Sequence, residues 1–259
     1  MQIIVINLSS AIARREFQKK QLEKLGLDYT FLTATSVDDI DDDTYNKHYY
    51  DWQRPLRRSE LACYFSHRRC WQKIINNNEP ALIIEDDALL SFKVPSILSK
   101  LKKCDDIDLV DLEVTGRKKN VSKTSEVIHE SSNLLKLHLN SSGAGGYVLF
   151  PSGAKKLLEL ENKKGISLAD AHIANCKSLN AYQIEPAAIV QFILCQLYEI
   201  NHSGFSDFCT SSTNAEKKDM INIKFKIKRV LSEIKLGIRK FFLILISKRR
   251  YIALNNKEF

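Results

Sequence analysis

Three consecutive carboxylates, Glu85, Asp86 and Asp87, follow the buried-strand run Ala81 to Ile84, and the chain turns apolar again at Ala88. Charges this close repel, and taking them out of water is expensive unless a cation or hydrogen-bond donors compensate. Alternate residues of an extended chain share a face, so Glu85 and Asp87 are placed to meet one ion. Asp86 points elsewhere, toward a sugar hydroxyl or another donor. Oxygen ligands without soft neighbours favour Mg2+ or Mn2+ over zinc, and such an ion takes a diphosphate as its other ligand. An acidic loop or helix start is the plainer reading of the same three residues. A second polar group, Glu60, Cys63, His67 and Cys70, recurs three, four and three residues apart along one helix face. Four ligands in line on one helix do not by themselves surround a tetrahedral zinc, so a packed helix face is the better account of that stripe.

The elements that must position these groups alternate. QIIVINL is a β-branched run of the kind buried on both faces, followed by a helical stretch to about Leu25 and a second strand in LDYTFLTAT. Residues 36–58 lose periodicity and read as a long acidic and aromatic loop, either a substrate wall or a surface excursion. Ser59 stands as an N-cap, with Glu60 in the first turn and a core stripe of Leu61, Tyr64, Phe65, Trp71, Ile74 and Ile75 behind it. ALII, DIDLVDLEV and LLKLHLN are further strands, with a basic turn at Arg117–Lys119, and Asp111 and Glu113 share a strand face as a reserve carboxylate pair. GAGGYVLF leads into a helix opened by Pro151. This order predicts an α/β fold, a mostly parallel sheet flanked by helices, with ligands outside the carboxyl ends of the strands.

The chain has 259 residues and a net charge of +8, but residues 216–259 carry 13 Lys and Arg against 4 Asp and Glu, so the rest is nearly neutral. Two units are expected: a catalytic domain over 1–213 and a basic amphipathic helical tail over 214–259. In the tail Ile223, Ile227, Val230, Ile234, Ile238, Phe241 and Leu245 recur every three or four residues. Such a helix suits an anionic membrane surface; packing on the domain or on a second subunit is the other use of the stripe. No nucleic-acid motif accompanies the basic residues, and no nucleic-acid partner is expected. No apolar run nears the roughly 20 residues that cross a bilayer. Six scattered cysteines without CxxC pairs, and an N-terminus without a signal-peptide pattern, fit the cytoplasm.

The ordered set IIVINLSSAIARR, SELACYFSHRRCW, PALIIEDDALL and GAGGYVLFPSGAKKLL resembles the family 25 glycosyltransferases, over roughly residues 1–192. That resemblance implies a GT-A type Rossmann-like fold and a nucleotide-diphospho-sugar transferase dependent on Mn2+ or Mg2+, with Glu85 and Asp87 as metal ligands. It places Asn7, Arg15, Thr35, Glu60, His67 and Asp86 at the donor. Asp170, in SLADAHI, matches the downstream acidic residue, although the usual proline is missing there. Asp170 and His172 are the catalytic candidates, each as general base or as a further metal ligand. Pro186 and Gln191 match the closing Pro-x-x-x-x-Gln strand. The resemblance makes a UDP-sugar the donor, with UDP-galactose ahead of UDP-glucose, and a lipid-linked lipooligosaccharide core the acceptor, at the inner face of the bacterial cytoplasmic membrane. A non-enzymatic adaptor, tethered by its basic tail, is the competing expectation.

Overall fold

The first strand shows how the molecule is layered. In β1 (Gln2–Asn7), Ile4 and Ile6 enter one core while Ile3 and Val5 enter the other, as period two demands of a strand covered on both sides. The computed structural model describes residues 1–129, 132–139, 143–201 and 223–259. Neighbouring β1 in parallel are β2 (Tyr29–Thr33) and β3 (Ala81–Glu85). Next come β10 (Gly146–Leu149), antiparallel to β3, then β5 (Leu109–Asp111) and β11 (Ala181–Glu185). Within this group only β10 runs against the others, so the centre of the sheet is mostly parallel, as expected. An antiparallel flank extends it through β9 (Ser132–Leu139), β7 (Lys119–Ser122) and β13 (Ser247–Arg250), with β8 (Glu126–His129) paired to β9. A second sheet joins β4 (Ala88–Leu90), β12 (Ile189–Gln191) and β6 (Glu113–Val114).

Helices cover both faces. On one lie α1 (Ile12–Lys24) and α4 (Val94–Leu101), whose Leu22, Val94, Ile97 and Leu101 pack on Ile3, Val5, Leu82 and Ile84. On the other, α3 (Arg58–Asn77) and α5 (Pro151–Lys164) bring Leu61, Tyr64, Trp71, Ile74 and Leu157 against Ile4, Ile83 and Leu149. Of the expected stripe of α3, Leu61, Tyr64, Trp71 and Ile74 are buried, Trp71 fully, while Phe65 and Ile75 are half-buried against the same core. Burying each large side chain is worth roughly 1.5–3 kcal/mol, which fixes the helix against the sheet end that carries the acidic cluster.

Four expectations change. A short helix, α2 (Asp42–His48), interrupts the long loop; Asp41 caps it, accepting from Thr44 N at 2.6 Å. The cap of α3 is Arg57 and not Ser59, with Glu60 at its third position accepting from Arg57 N at 3.0 Å. DIDLVDLEV is two strands in two sheets, broken at Leu112, so Asp111 and Glu113 do not form a pair on one strand face. Lys119 is no turn residue. It is buried in β7, its Nζ 2.6 Å from Asp111 Oδ2, 2.7 Å from Gln183 Oε1 and 3.0 Å from the Glu113 carbonyl.

The tail departs from a free appendage as well. A one-turn helix, α7 (Phe192–Cys195), follows β12, and residues 214–222 lie outside the described part; α8 (Ile223–Ile246) then leads directly into β13, which adds an edge strand beside β7. Arg250 pairs with Glu185, Lys93 Nζ meets Glu258 Oε1 at 2.6 Å, and Ile252 is buried. The last thirteen residues therefore belong to the sheet domain. Their basic SKRR segment hid a strand that pairs through its backbone and needs no apolar face.

Candidate functional site

The alternation that layers the sheet also sorts the three carboxylates. Asp86 follows Ile84 onto the α1 side. There Asn7 Nδ2 donates to Asp86 Oδ2 at 2.8 Å and Arg14 Nη1 to Oδ1 at 3.0 Å, while Gln18 Nε2 holds the Asp86 carbonyl at 3.1 Å. Its charge is thus met within the protein, and it ties the end of β3 to β1 and α1. Asn7 is 2% exposed, and its Oδ1 has no hydrogen-bond partner among the described residues, a buried acceptor that calls for a donor from a ligand.

Glu85 and Asp87 take the opposite side. One amide joins them: Gln191 Nε2, at the end of β12, lies 3.0 Å from Glu85 Oε2 and 3.4 Å from Asp87 Oδ1. Burial, followed by the repulsion of Glu85 and Asp86, pushes the Asp87 pKa up to about 7. The pair is short of positive charge, and its hard oxygens fit a divalent cation. From α3, His67 Nε2 comes within 3.3 Å of Glu85 Oε1, and His67 Nδ1 within 3.0 Å of the Tyr147 hydroxyl, which in turn accepts from Trp71 Nε1 at 2.9 Å. Indole is only a donor, so the phenol passes its own proton toward Nδ1 and the imidazole offers Nε2–H to Glu85. The core of α3 thereby orients the carboxylate at the tip of β3.

The glycine segment before β10 closes the site from below. Gly145 N donates to Glu113 Oε2 at 3.2 Å, and the Gly145 carbonyl accepts from Glu85 N at 3.1 Å. A Cβ at Gly145 would lie 2.8 Å from Glu113 Oε2 and 2.9 Å from Gln191 Nε2, and one at Gly143, where φ is +100°, only 2.0 Å from Glu113 Oε1. Only glycine fits. Gly143 N also donates to Asp170, near the start of α6 (Ala169–Asn175), whose carboxyl further accepts from Ala171 N at 2.6 Å. Burial first, and Glu85 as a like charge, hold the Asp170 pKa above the ordinary aspartate value. Asp170 therefore belongs to the same electrostatic group as Glu85, and Cys63 lies among Glu85, Asp170, Glu60 and Asp87.

Other expected site residues are placed differently. Glu60 is engaged with Arg54, its Oε1 2.6 Å from Nη2 and its Oε2 2.8 Å from Nη1, besides its capping bond. Burial alone would raise its pKa, but these donors outweigh it and hold the carboxyl below its ordinary range. Arg15 stacks over the Phe31 ring at 3.9 Å, and it is the preceding Arg14 that reaches Asp86. The helix register of α1 decides between the two. Thr35 donates its N–H to Ser66 Oγ at 2.9 Å, beside the Asn7 end of β1, where Ala34 N bonds the Asn7 carbonyl. His172 points into the core: it is 2% exposed, stacks on Trp71 at 5.5 Å, and its Nε2 lies 3.0 Å from the Leu157 carbonyl. Burial lowers its pKa and keeps it neutral. The catalytic expectation for His172 is accordingly corrected to a packing role. It shares α6 with Asp170 but a separation of two residues turns it to another face. Gln191, Glu113 and Arg14 complete the site; the sequence offers Glu113 only as half of a reserve pair with Asp111 and Gln191 only as the last residue of the closing strand, and it gives no signal for Arg14 ahead of Arg15.

Residues 1–173 match the glycosyltransferase family 25 (LPS biosynthesis protein). The lipooligosaccharide biosynthesis protein lex-1 of Haemophilus influenzae is 26% identical over 276 residues, covering 91% of this chain and 89% of its own length. A second H. influenzae chain, provisionally named a glycosyltransferase, is 28% identical over 201 residues, 73% of this chain and 70% of its own. Human procollagen galactosyltransferase 2 is 33% identical over 111 residues, 40% of this chain and 17% of its own, so the similarity spans a small part of that larger protein. Among solved structures, the inositol-1-phosphate CTP transferase of T. maritima aligns with a TM-score of 0.40 at 14% identity, over 91% of this chain and 96% of its own. With the family match extending over two thirds of its length, this chain belongs to glycosyltransferase family 25.

Proposed function

We propose that the protein transfers a hexose, with galactose ahead of glucose, from a UDP-sugar to a lipooligosaccharide core acceptor, with Mn2+ or Mg2+ held by Glu85 and Asp87. The observation that carries this reading is the pair itself: two carboxylates bridged by one amide, with the Asp87 pKa pushed up to about 7 by burial and by the charges of Glu85 and Asp86. When bound, a divalent ion neutralises the charge that grows on the leaving diphosphate. The chain's own residues do the rest. Asp86 and Asn7 fix the strand tip, where the buried Asn7 Oδ1 has no donor among the described residues. His67 and Gln191 set the rotamers of the ion-binding pair. Asp170, anchored by two backbone N–H groups, takes the proton of the acceptor hydroxyl, a role that suits a carboxylate whose pKa is raised.

Membrane placement is part of the same proposal. At 3.6 residues per turn, the α8 residues that meet the body, Phe225, Arg239 and Leu243, lie opposite the stripe Ile223, Ile227, Val230, Ile234, Ile238, Phe241 and Leu245. Phe225 stacks on Tyr50 at 5.3 Å and Arg239 bonds the His138 carbonyl, while every residue of the stripe is exposed, Leu245 at 77%. Lys226 borders it, with Lys240 and the Arg229–Glu233 ion pair farther round the helix, and no described helix is long and apolar enough to cross a membrane. A cation-fringed apolar stripe is suited to the interface of an anionic bilayer, which would bring the site to a lipid-linked acceptor on the inner face of the cytoplasmic membrane. Calorimetric titration of UDP with and without Mn2+ tests the site: binding to the wild type requires the metal and is lost in Asp87→Asn. Equal binding in all four combinations refutes it. Flotation with anionic liposomes tests the stripe, since Ile234→Glu with Ile238→Glu abolishes association if the stripe is the anchor.

A further inference from the structure

A soft and a borderline ligand converge on one member of the hard pair. Cys63 and His67 stand four residues apart on one face of α3, and Glu85 reaches them from the end of β3; Sγ, an imidazole nitrogen and a carboxylate oxygen all lie within 4.8 Å of one another. We propose that Cys63, His67 and Glu85 form a zinc-type site that shares Glu85 with the donor-metal pair, so that zinc competes with Mn2+ or Mg2+ for that carboxylate.

The geometry suits a tetrahedral ion. Zinc–nitrogen and zinc–oxygen bonds of about 2.0–2.1 Å at the tetrahedral angle set the two ligand atoms about 3.3 Å apart. His67 Nε2 and Glu85 Oε1 are 3.3 Å apart. Two ligands one helical turn apart and a third from another element leave a fourth position for water, the ligand count of an open site. Supporting groups are in place: His67 Nδ1 is held by the Tyr147 hydroxyl, itself fixed by Trp71, and the second oxygen of Glu85 is held by Gln191 Nε2. Such partners orient metal ligands. On binding, the Cys63 thiol releases its proton to water; the imidazole gives its Nε2 proton to water and takes one from water at Nδ1, so that Nε2 is free to bind. The Tyr147 hydroxyl turns its own hydrogen out of that bond and accepts from both Nδ1–H and Trp71 Nε1–H. Thiolate and carboxylate then balance the dication, and Asp170, Glu60 and Asp87 nearby favour a cation further. Cys63 is open to solvent, so the ion has a way in. The competition, though not the site, rests on Glu85 serving the sugar donor.

Cobalt reports on such a site directly. Metal-free full-length protein titrated with Co2+ should take up one equivalent with a sulfur-to-cobalt charge-transfer band in the near ultraviolet and strong tetrahedral bands in the visible, all displaced by Zn2+. In Cys63→Ser the ultraviolet band disappears while Mn2+-dependent UDP binding persists, and zinc, which weakens UDP binding at least tenfold in the wild type, no longer does so. A measurement without any variant accompanies it: zinc should shield Cys63 of the wild type from iodoacetamide, read by peptide mass. Weak octahedral cobalt absorption, or alkylation of Cys63 at the same rate with and without zinc, overturns the site and leaves the donor reading intact. A sulfur band in a protein that binds UDP without metal keeps the site and removes the competition together with the donor reading.

Discussion

Metal-free protein should lose stability as pH rises through the titration of Asp87, and Asp87→Asn should not. An acid whose folded-state pKa is raised stays protonated in the native state where the unfolded chain has already ionised, so the unfolded state binds fewer protons and stability falls with pH. The decline begins near the ordinary aspartate value of 3.8, continues to the folded value of about 7, and then levels off. A tenfold change in an acid constant is worth about 1.4 kcal/mol, which sets a ceiling of about 4 kcal/mol. Asp87 still touches solvent and Glu85 relaxes when its neighbour takes a proton, so about half, roughly 2 kcal/mol, is the working figure. About two thirds of that accrues between pH 5 and 8, and for a chain of this size it corresponds to about 3–5 °C in Tm. Thermal unfolding of wild type and Asp87→Asn, both with chelator, at the two pH values reads the difference; other titrating groups cancel between the proteins. Asp87→Asn should gain on the wild type by that amount at pH 8 relative to pH 5, and saturating Mn2+ should return the wild type to the variant's level. An unchanged gap between the two proteins at both pH values would refute the claim that the crevice carries uncompensated negative charge.

Gly145→Ala sets a methyl group against Glu113 Oε2 and Gln191 Nε2, so it should cost about 1–3 kcal/mol in urea denaturation and weaken Mn2+-dependent UDP binding by displacing Gln191. Glu60→Gln should lower stability by about 1 kcal/mol at neutral pH and leave UDP affinity unchanged, because the side chain caps α3 and holds Arg54. Its carboxyl is held below its ordinary value, so this stabilisation is present above the unfolded pKa and is lost as pH falls through the folded one; the two proteins should converge in acid. Asp170→Asn should reduce turnover by about 10²- to 10⁴-fold with little change in UDP affinity, whereas His172→Gln should lower Tm and leave the pH profile of turnover in place.

Much of the fold was legible because both faces of the sheet are covered: continuous runs such as Ile3–Ile6 and Ala81–Ile84 admit few other readings. What escaped notice was held by local polar chemistry. The Asp41 cap that starts α2 and the shift of the α3 cap to Arg57 are decided by single side-chain bonds, which hydrophobic periodicity does not register. The break at Leu112 was hidden because Asp111 and Glu113 keep the period of one strand while serving two sheets. Within the site, the carboxylates after β3 stood out by type and spacing, and Asp170 only through the family resemblance. The choice of Arg14 over Arg15 required the helix register, and the removal of His172 to the core required knowing which face of α6 meets Trp71.

The tip of β3 explains why three acidic residues stand together and not two. A pair aimed at an ion on the α3 side would repel and splay unless the backbone between them were pinned. Asp86, forced by alternation to the α1 side, supplies that pin through Asn7, Arg14 and the carbonyl bond from Gln18. Asp86 is bonded by Asn7 and paired with Arg14, yet its charge still adds to the repulsion at Asp87, after burial and that of Glu85. The ion-binding pair is oriented by an imidazole and an amide, His67 on Glu85 and Gln191 between Glu85 and Asp87. An arginine in place of Gln191 would have satisfied the pair and left an ion nothing to do. The neutral amide leaves the crevice negative, and the repulsion between the carboxylates adds to the burial that raises the Asp87 pKa. Gln191→Lys should therefore lower the Asp87 pKa and abolish metal-dependent UDP binding together, because one added positive charge opposes that repulsion and takes the place an ion would fill.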